Sequence, residues 1–151
     1  MTPARSLRRI PVAAALVLLG ATACSGSPDG PELTVSGAYI PQPTLADMAA
    51  GYFTVSNTGD RDARLTSVTS DLSGDITLHS TEDNRMRRVT SFTVPAGGRL
   101  TLALGGNHLM LTNLEHKPAA GEQVSLRLHF DDADTIDVRV PVKPAGYHPG
   151  D

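Results

Sequence analysis

The chain has 151 residues, of which 40% are hydrophobic and 19% charged, the balance of one globular domain with unstructured ends. Its formal charge of -3 argues against nucleic acid as a partner. The single cysteine, Cys24, excludes an internal disulfide, a C-x-x-C redox pair, a cysteine-ligated zinc site and a blue-copper centre, whose metal needs a thiolate.

Residues 1–23 read as an export signal. Arg5, Arg8 and Arg9 precede an apolar run, Val12 to Leu19, that is too short to span a bilayer, and small residues continue to Ala23. Ala21-Thr22-Ala23-Cys24-Ser25-Gly26 resembles a bacterial lipoprotein processing site, with Cys24 as the lipidated first residue. Ala21 stands where Leu is commoner, which keeps ordinary signal cleavage nearby as the alternative. Export removes three Arg and no acid, so 10 basic and 16 acidic residues remain and the charge becomes -6. Residues 24–31, rich in Ser, Gly, Pro and Asp, form a flexible tether to the β domain of residues 32–142.

From Glu32 to Ile40, Leu33, Val35 and Tyr39 alternate with polar or small residues, as in a strand with one buried face. Pro41 and Pro43 end it, and Thr44 to Ala50, carrying Met48, is a loop or short helical turn. Strands follow at Tyr52 to Ser56, Arg64 to Thr69 and Asp75 to His79, the last with Ile76 and Leu78 on the face opposite Thr77 and His79. The polar run Ser80 to Arg85 is a loop into a strand from Met86 to Val94. Simple parity puts Met86 on the inward face with Phe92 and Val94, unless a bulge or a later start intervenes. Pro95 to Gly98 turns the chain into Leu100, Leu102 and Leu104, and Gly105-Gly106 turns it into the His108 strand. Clean alternation marks Gln123 to Phe130, with His129 outward, and Ile136 to Val140. About nine short strands between Gly, Pro and Asn turns, with no helical period, indicate an all-β sandwich or Greek-key barrel. Residues 143–151 are a disordered tail.

No phosphate-cradling loop, G-x-S-x-G, H-E-x-x-H or cysteine nucleophile is present, so the chain is read as a non-enzyme. Asp131-Asp132-Ala133-Asp134 lacks the ligand spacing of a calcium loop and is a solvated hairpin tip. His116 in a loop and His148 in the tail are surface residues that could catch Cu(II) weakly, and Met48 is assigned to packing.

His79, Met86, His108 and Met110 remain. His108 and Met110, two apart on a strand, point to one face and set an imidazole beside a thioether. Neutral nitrogen and soft sulfur, without thiolate or carboxylate, suit Cu(I) better than Zn(II), Mg(II) or Ca(II).

A wider pattern then carries a resemblance. Met86 and His108 are separated by 21 residues, and His108-Leu109-Met110 completes an H-x-M. With these stand Val94-Pro95-Ala96-Gly97-Gly98, the run Gly105 to Leu111 and the run Ala50 to Asp60. Over residues 33 to 142 the chain resembles the periplasmic copper chaperones of the PCu(A)C type, whose signature is a His, a Met, 21 residues and H-x-M. That family usually has ten residues between its first His and its Met, whereas His79 and Met86 have six between them. The shorter loop allows either four ligands, His79, Met86, His108 and Met110, or three without His79.

The resemblance implies a cupredoxin-like Greek-key β fold binding one Cu(I) at an exposed site. It further implies delivery of copper by ligand exchange to the dinuclear centre in the copper-bearing subunit of cytochrome oxidase. A thiol-type copper chaperone is the second partner it suggests. The protein is expected as a monomeric envelope lipoprotein on the outer side of the cytoplasmic membrane or in the periplasm. Two other readings stay open: a copper-independent β-sandwich lipoprotein that binds an envelope protein or ligand, and a copper buffering or resistance protein.

Overall fold

The computed structural model describes residues 29–150, in which every helix or strand element is a strand. The ten strands are β1 (Leu33–Pro41), β2 (Met48–Asn57), β3 (Ala63–Thr69), β4 (Ser73–Glu82), β5 (Arg85–Val89), β6 (Phe92–Val94), β7 (Arg99–Leu102), β8 (His108–Leu114), β9 (Gln123–Phe130) and β10 (Ile136–Lys143). They hydrogen-bond in the order β5-β4-β8-β2-β1-β10-β9-β3-β6, with β7 added to β2. Every pairing is antiparallel except β1 with β10, which run parallel at Ile40–Val142 and Pro41–Lys143.

The second strand holds the molecule together. Its first half, Met48 to Gly51, pairs with β8, and its second half, Phe53 to Ser56, pairs with β7. Ile40, Phe53, Leu109 and Leu111 are essentially inaccessible, and so are Leu65, Leu126, Leu128 and Val140 from the far end of the strand order. One core is therefore enclosed by a sheet that folds over on itself, as the alternation of apolar and polar residues requires.

Five local differences from the sequence expectation bear on function. The stretch expected as a loop or helical turn before Tyr52 is already strand from Met48, because Met48 to Gly51 find a ladder on β8. The polar run after His79 is mostly strand as well. β4 continues to Glu82, and Asp83-Asn84 close a two-residue hairpin with φ of 49° and 59°. Left-handed values at both positions define a type I′ turn, which Asn and Asp tolerate. The expected strand from Met86 to Val94 breaks into β5 and β6, so Met86 is freed from the inward parity of Phe92 and Val94 and is 54% exposed. Finally, β7 stops at Leu102; Ala103 to Asn107 form a turn closed by Ala103 N–H to the Asn107 carbonyl, 2.9 Å, which leaves Leu104 65% exposed. Tail residues fold back too, since the Tyr147 ring meets Tyr39 edge-on at 5.1 Å. The export signal and Cys24 lie outside the described residues.

Candidate metal centre

Cross-strand register places the four sequence-predicted residues on one face. His79 lies opposite His108, and Thr77 opposite Met110, in the β4–β8 ladder. Thr81 lies opposite Met86 in the β4–β5 hairpin. Directly opposed residues of an antiparallel pair share a face, and so do residues two apart. Thr77, His79, Thr81, Met86, His108 and Met110 therefore form one surface, while Leu78, Leu109 and Leu111 point into the core. The six-residue spacing between His79 and Met86 is what a two-residue hairpin needs to bring the thioether back beside the histidines.

The two imidazoles stand 5.5 Å apart, centroid to centroid, with planes tilted by 33°. His108 Nδ1 is 2.9 Å from the Gly106 carbonyl oxygen. A carbonyl can only accept, so Nδ1 carries a proton, and in the neutral form of the ring the lone pair stands on Nε2. That Nε2 faces Met86 Sδ at 3.2 Å. In that form a nitrogen and a sulfur lone pair face each other, a pairing that suits a soft cation. His79 is held through Nε2, 2.9 Å from Thr77 Oγ1, and its buried Nδ1 has no hydrogen-bond partner. Leaving a buried polar nitrogen unpaired costs about 1–3 kcal/mol. Burial, then the neighbouring His108, then the Arg88 guanidinium hold the His79 pKa below its ordinary value, which keeps the ring neutral and able to ligate.

Among the described residues no three His, Cys, Asp or Glu side chains converge, so the nitrogen and sulfur pairs are what this face offers a metal. The other histidines are occupied elsewhere. His116 Nε2 meets Glu122 Oε1 at 2.6 Å, and His129 Nε2 meets Thr69 Oγ1 at 2.9 Å. His148 is the exception, since it lines a cleft that also includes His108, Met110 and Met48.

Sequence reasoning passed over several contributors. Thr77 and the Gly106 carbonyl orient the two rings, and Arg88 lies opposite His79 on the site face. Met48, taken as packing, is 37% exposed. Two-residue alternation through Asp75-Ile76-Thr77-Leu78-His79 would have placed Thr77 beside His79; the Gly106 contact follows from a turn that sequence does not specify.

A family model described as "Putative lipoprotein LpqE-like" matches residues 33–142, nearly the whole β domain. The chain belongs to the LpqE-like family. A relative from Leifsonia xyli subsp. xyli, "Putative lipoprotein Lxx21020", is 34% identical over 152 residues, covering 92% of this chain and 90% of that protein. Among solved structures, the apo PCuAC domain of PmoF2 superposes with a TM-score of 0.68 at 22% identity, over 78% of this chain and 94% of the other, a likeness of fold. Cu(I)-bound DR1885 from Deinococcus radiodurans superposes with a TM-score of 0.62 at 27% identity, over 80% of this chain and 83% of the other. The resemblance read from the motifs thus extends to the whole fold of this LpqE-like protein: all-β and of the PCuAC type.

Proposed function

We propose that this LpqE-like protein is an extracytoplasmic Cu(I) chaperone that holds one copper ion through His79, Met86, His108 and Met110. The observation that carries the reading is the 3.2 Å approach of His108 Nε2 to Met86 Sδ, beside a His79 whose buried Nδ1 has no partner. Support also comes from the fold shared with DR1885, which was solved with Cu(I) bound.

Copper is the cargo here, and the donor set suits carrying it. Thioethers do not titrate and cannot be lost to disulfides in an oxidising compartment, so binding depends on pH through the histidines alone. Four neutral donors leave the complex cationic. Met86, 54% exposed on a hairpin, leaves the ion open to an acceptor's ligands, and release proceeds by stepwise ligand exchange. The acceptor is proposed to be the copper-bearing subunit of a respiratory oxidase, with the carrier held at the membrane through a lipid on Cys24.

Competition with a chromophoric chelator tests the first part, with equimolar, tight Cu(I) uptake expected. Unchanged affinity after Met86→Ala, His108→Ala and Met110→Ala together would overturn the reading. Delivery is separated from buffering by copper transfer to a purified oxidase domain, which a buffering protein would not perform.

A further inference from the structure

Leu45, Met48, Met86 and Leu104, with 57%, 37%, 54% and 65% of their surface exposed, are the exposed large hydrophobics among the described residues. All four gather at one pole. Leu45, Met48 and Leu104 line a cleft of about 510 Å³ whose wall includes His108 and Met110, and Met86 touches His108 from the other side. The cleft is backed by an aromatic stack in which Tyr39 lies 5.2 Å from Tyr52 and 5.1 Å from Tyr147. Exposed apolar groups are unremarkable when scattered, but gathered around a rigid aromatic cleft they mark a contact surface.

Cations surround that pole although the chain as a whole is acidic. Met86 is flanked by Arg85, Arg87 and Arg88 on the edge strand β5. Lys117 Nζ reaches the Thr44 carbonyl on the cleft rim, and Lys143 Nζ sits 5.2 Å from the Tyr147 ring centre. Carboxylates border this region as well: Asp47 lies beside Met48, Asp83 is in the β4–β5 turn, Asp75 is on the same face of β4 as His79, and Glu82 is already paired with Arg87 at 2.9 Å. Among the described residues Arg85 and Arg88 have no carboxylate partner. The position of Arg88 is the most telling. It lies opposite His79 on the face of the candidate ligands, where a cation repels a cationic cargo held by neutral donors. A site evolved only to hold copper tightly would do better with a carboxylate there.

We infer that this pole is a docking face for a protein whose copper-accepting loop is apolar and rimmed by carboxylates. The inference rests on the copper reading above and names the chemistry of the partner. Carboxylates meeting Arg85 and Arg88 would orient the encounter, and apolar side chains entering the cleft would touch the wall formed by His108 and Met110.

The test uses the full chain in a non-ionic detergent and two labelled peptides. Both carry the same apolar loop bearing two Cys, soft ligands able to accept Cu(I); one is flanked by Glu and its twin by Lys. By fluorescence anisotropy the Glu peptide should bind at least about tenfold tighter where the Debye length is about 30 Å, and the gap should close where it is about 3 Å. Arg85→Glu with Arg88→Glu should reverse the preference, and Leu45→Ser with Leu104→Ser should weaken both peptides alike. Equal binding of the two peptides, or a preference untouched by charge reversal, overturns the inference. So does a dependence on phosphatidylglycerol, in phosphatidylglycerol–phosphatidylcholine vesicles, that charge reversal abolishes in the absence of any peptide preference. Chelator competition on the same samples separates the two claims: Cu(I) uptake without peptide preference overturns the docking face alone. Peptide preference without Cu(I) uptake upholds the face and overturns the copper reading.

Discussion

The two poles of the sandwich treat their polar groups in opposite ways. At the pole away from the candidate ligands, Asn57 is 1% exposed and fully engaged. Its Oδ1 accepts from the Glu32 and Gly59 amides, both at 3.0 Å, and its Nδ2 donates to the Arg61 and Val94 carbonyls at 2.7 and 3.2 Å. One side chain thereby ties together the start of β1, the β2–β3 turn and the end of β6. At the other pole, His108 Nε2 has only the soft Met86 Sδ before it, at 3.2 Å, and His79 Nδ1 has no partner. Polar groups that stabilise a fold are consumed by it, whereas those kept for a ligand stay unpaired until the ligand arrives.

Substitutions at the two poles should therefore give opposite signatures. Asn57→Ala removes four hydrogen bonds and strands buried partners, so it should cost about 3 kcal/mol of unfolding free energy, read from the urea midpoint, with Cu(I) stoichiometry unchanged. Gly59→Ala acts at the same place, since its Cβ would run into the Gly30 carbonyl oxygen and the Glu32 amide, and a cost of about 1–3 kcal/mol is expected. His108→Ala should do the reverse, lowering Cu(I) affinity more than about a hundredfold, beyond the loss typical of an outer-shell change, while the urea midpoint of the apo chain hardly moves. A large stability loss from His108→Ala, or lost copper binding in a folded Asn57→Ala, would break the comparison. Thr77→Val keeps the side-chain shape but deletes the hydroxyl that holds His79 Nε2. Cu(I) affinity should drop about tenfold and recover in Thr77→Ser.

Most strands were legible because their alternation reports burial directly: Gln123 to Phe130 and Ile136 to Val140 lie where the pattern puts them. The β character was legible for the same reason. What escaped were places where tertiary pairing overrides local cues. Met48 to Gly51 look like a loop after two prolines and become strand only because β8 offers partners. Ser80 to Glu82 are polar and exposed-looking, yet β4 carries them on to the Asp83-Asn84 turn, and it is this extension that sets Met86 opposite Thr81. Sequence spacing identified the candidate side chains, but their common face depends on register across three strands, which no single stretch encodes. Arg88 was invisible as part of the site for that reason, being a charged residue on an edge strand, where charge is commonplace.

The smallest effect expected concerns pH, and it sharpens the contrast between engaged and waiting groups. The folded state holds His79 with a lowered pKa, through burial first and then through His108 and Arg88, so over a window below 6.5 the unfolded chain binds the proton that the native chain refuses. Stability from the neutral ring is complete above 6.5 and is lost as pH falls through that window toward the lowered folded value. Comparing urea midpoints of wild type and His79→Gln across pH 7.5 to 4.5 removes the carboxylate titrations common to both. The wild type should lose stability relative to the variant as pH falls. Arg88→Gln should narrow the difference by removing one of the charges that oppose protonation. If the two curves stay parallel, His79 is not held neutral by the fold, and the site pole is less prepared for its ligand than the lone pairs facing one another imply.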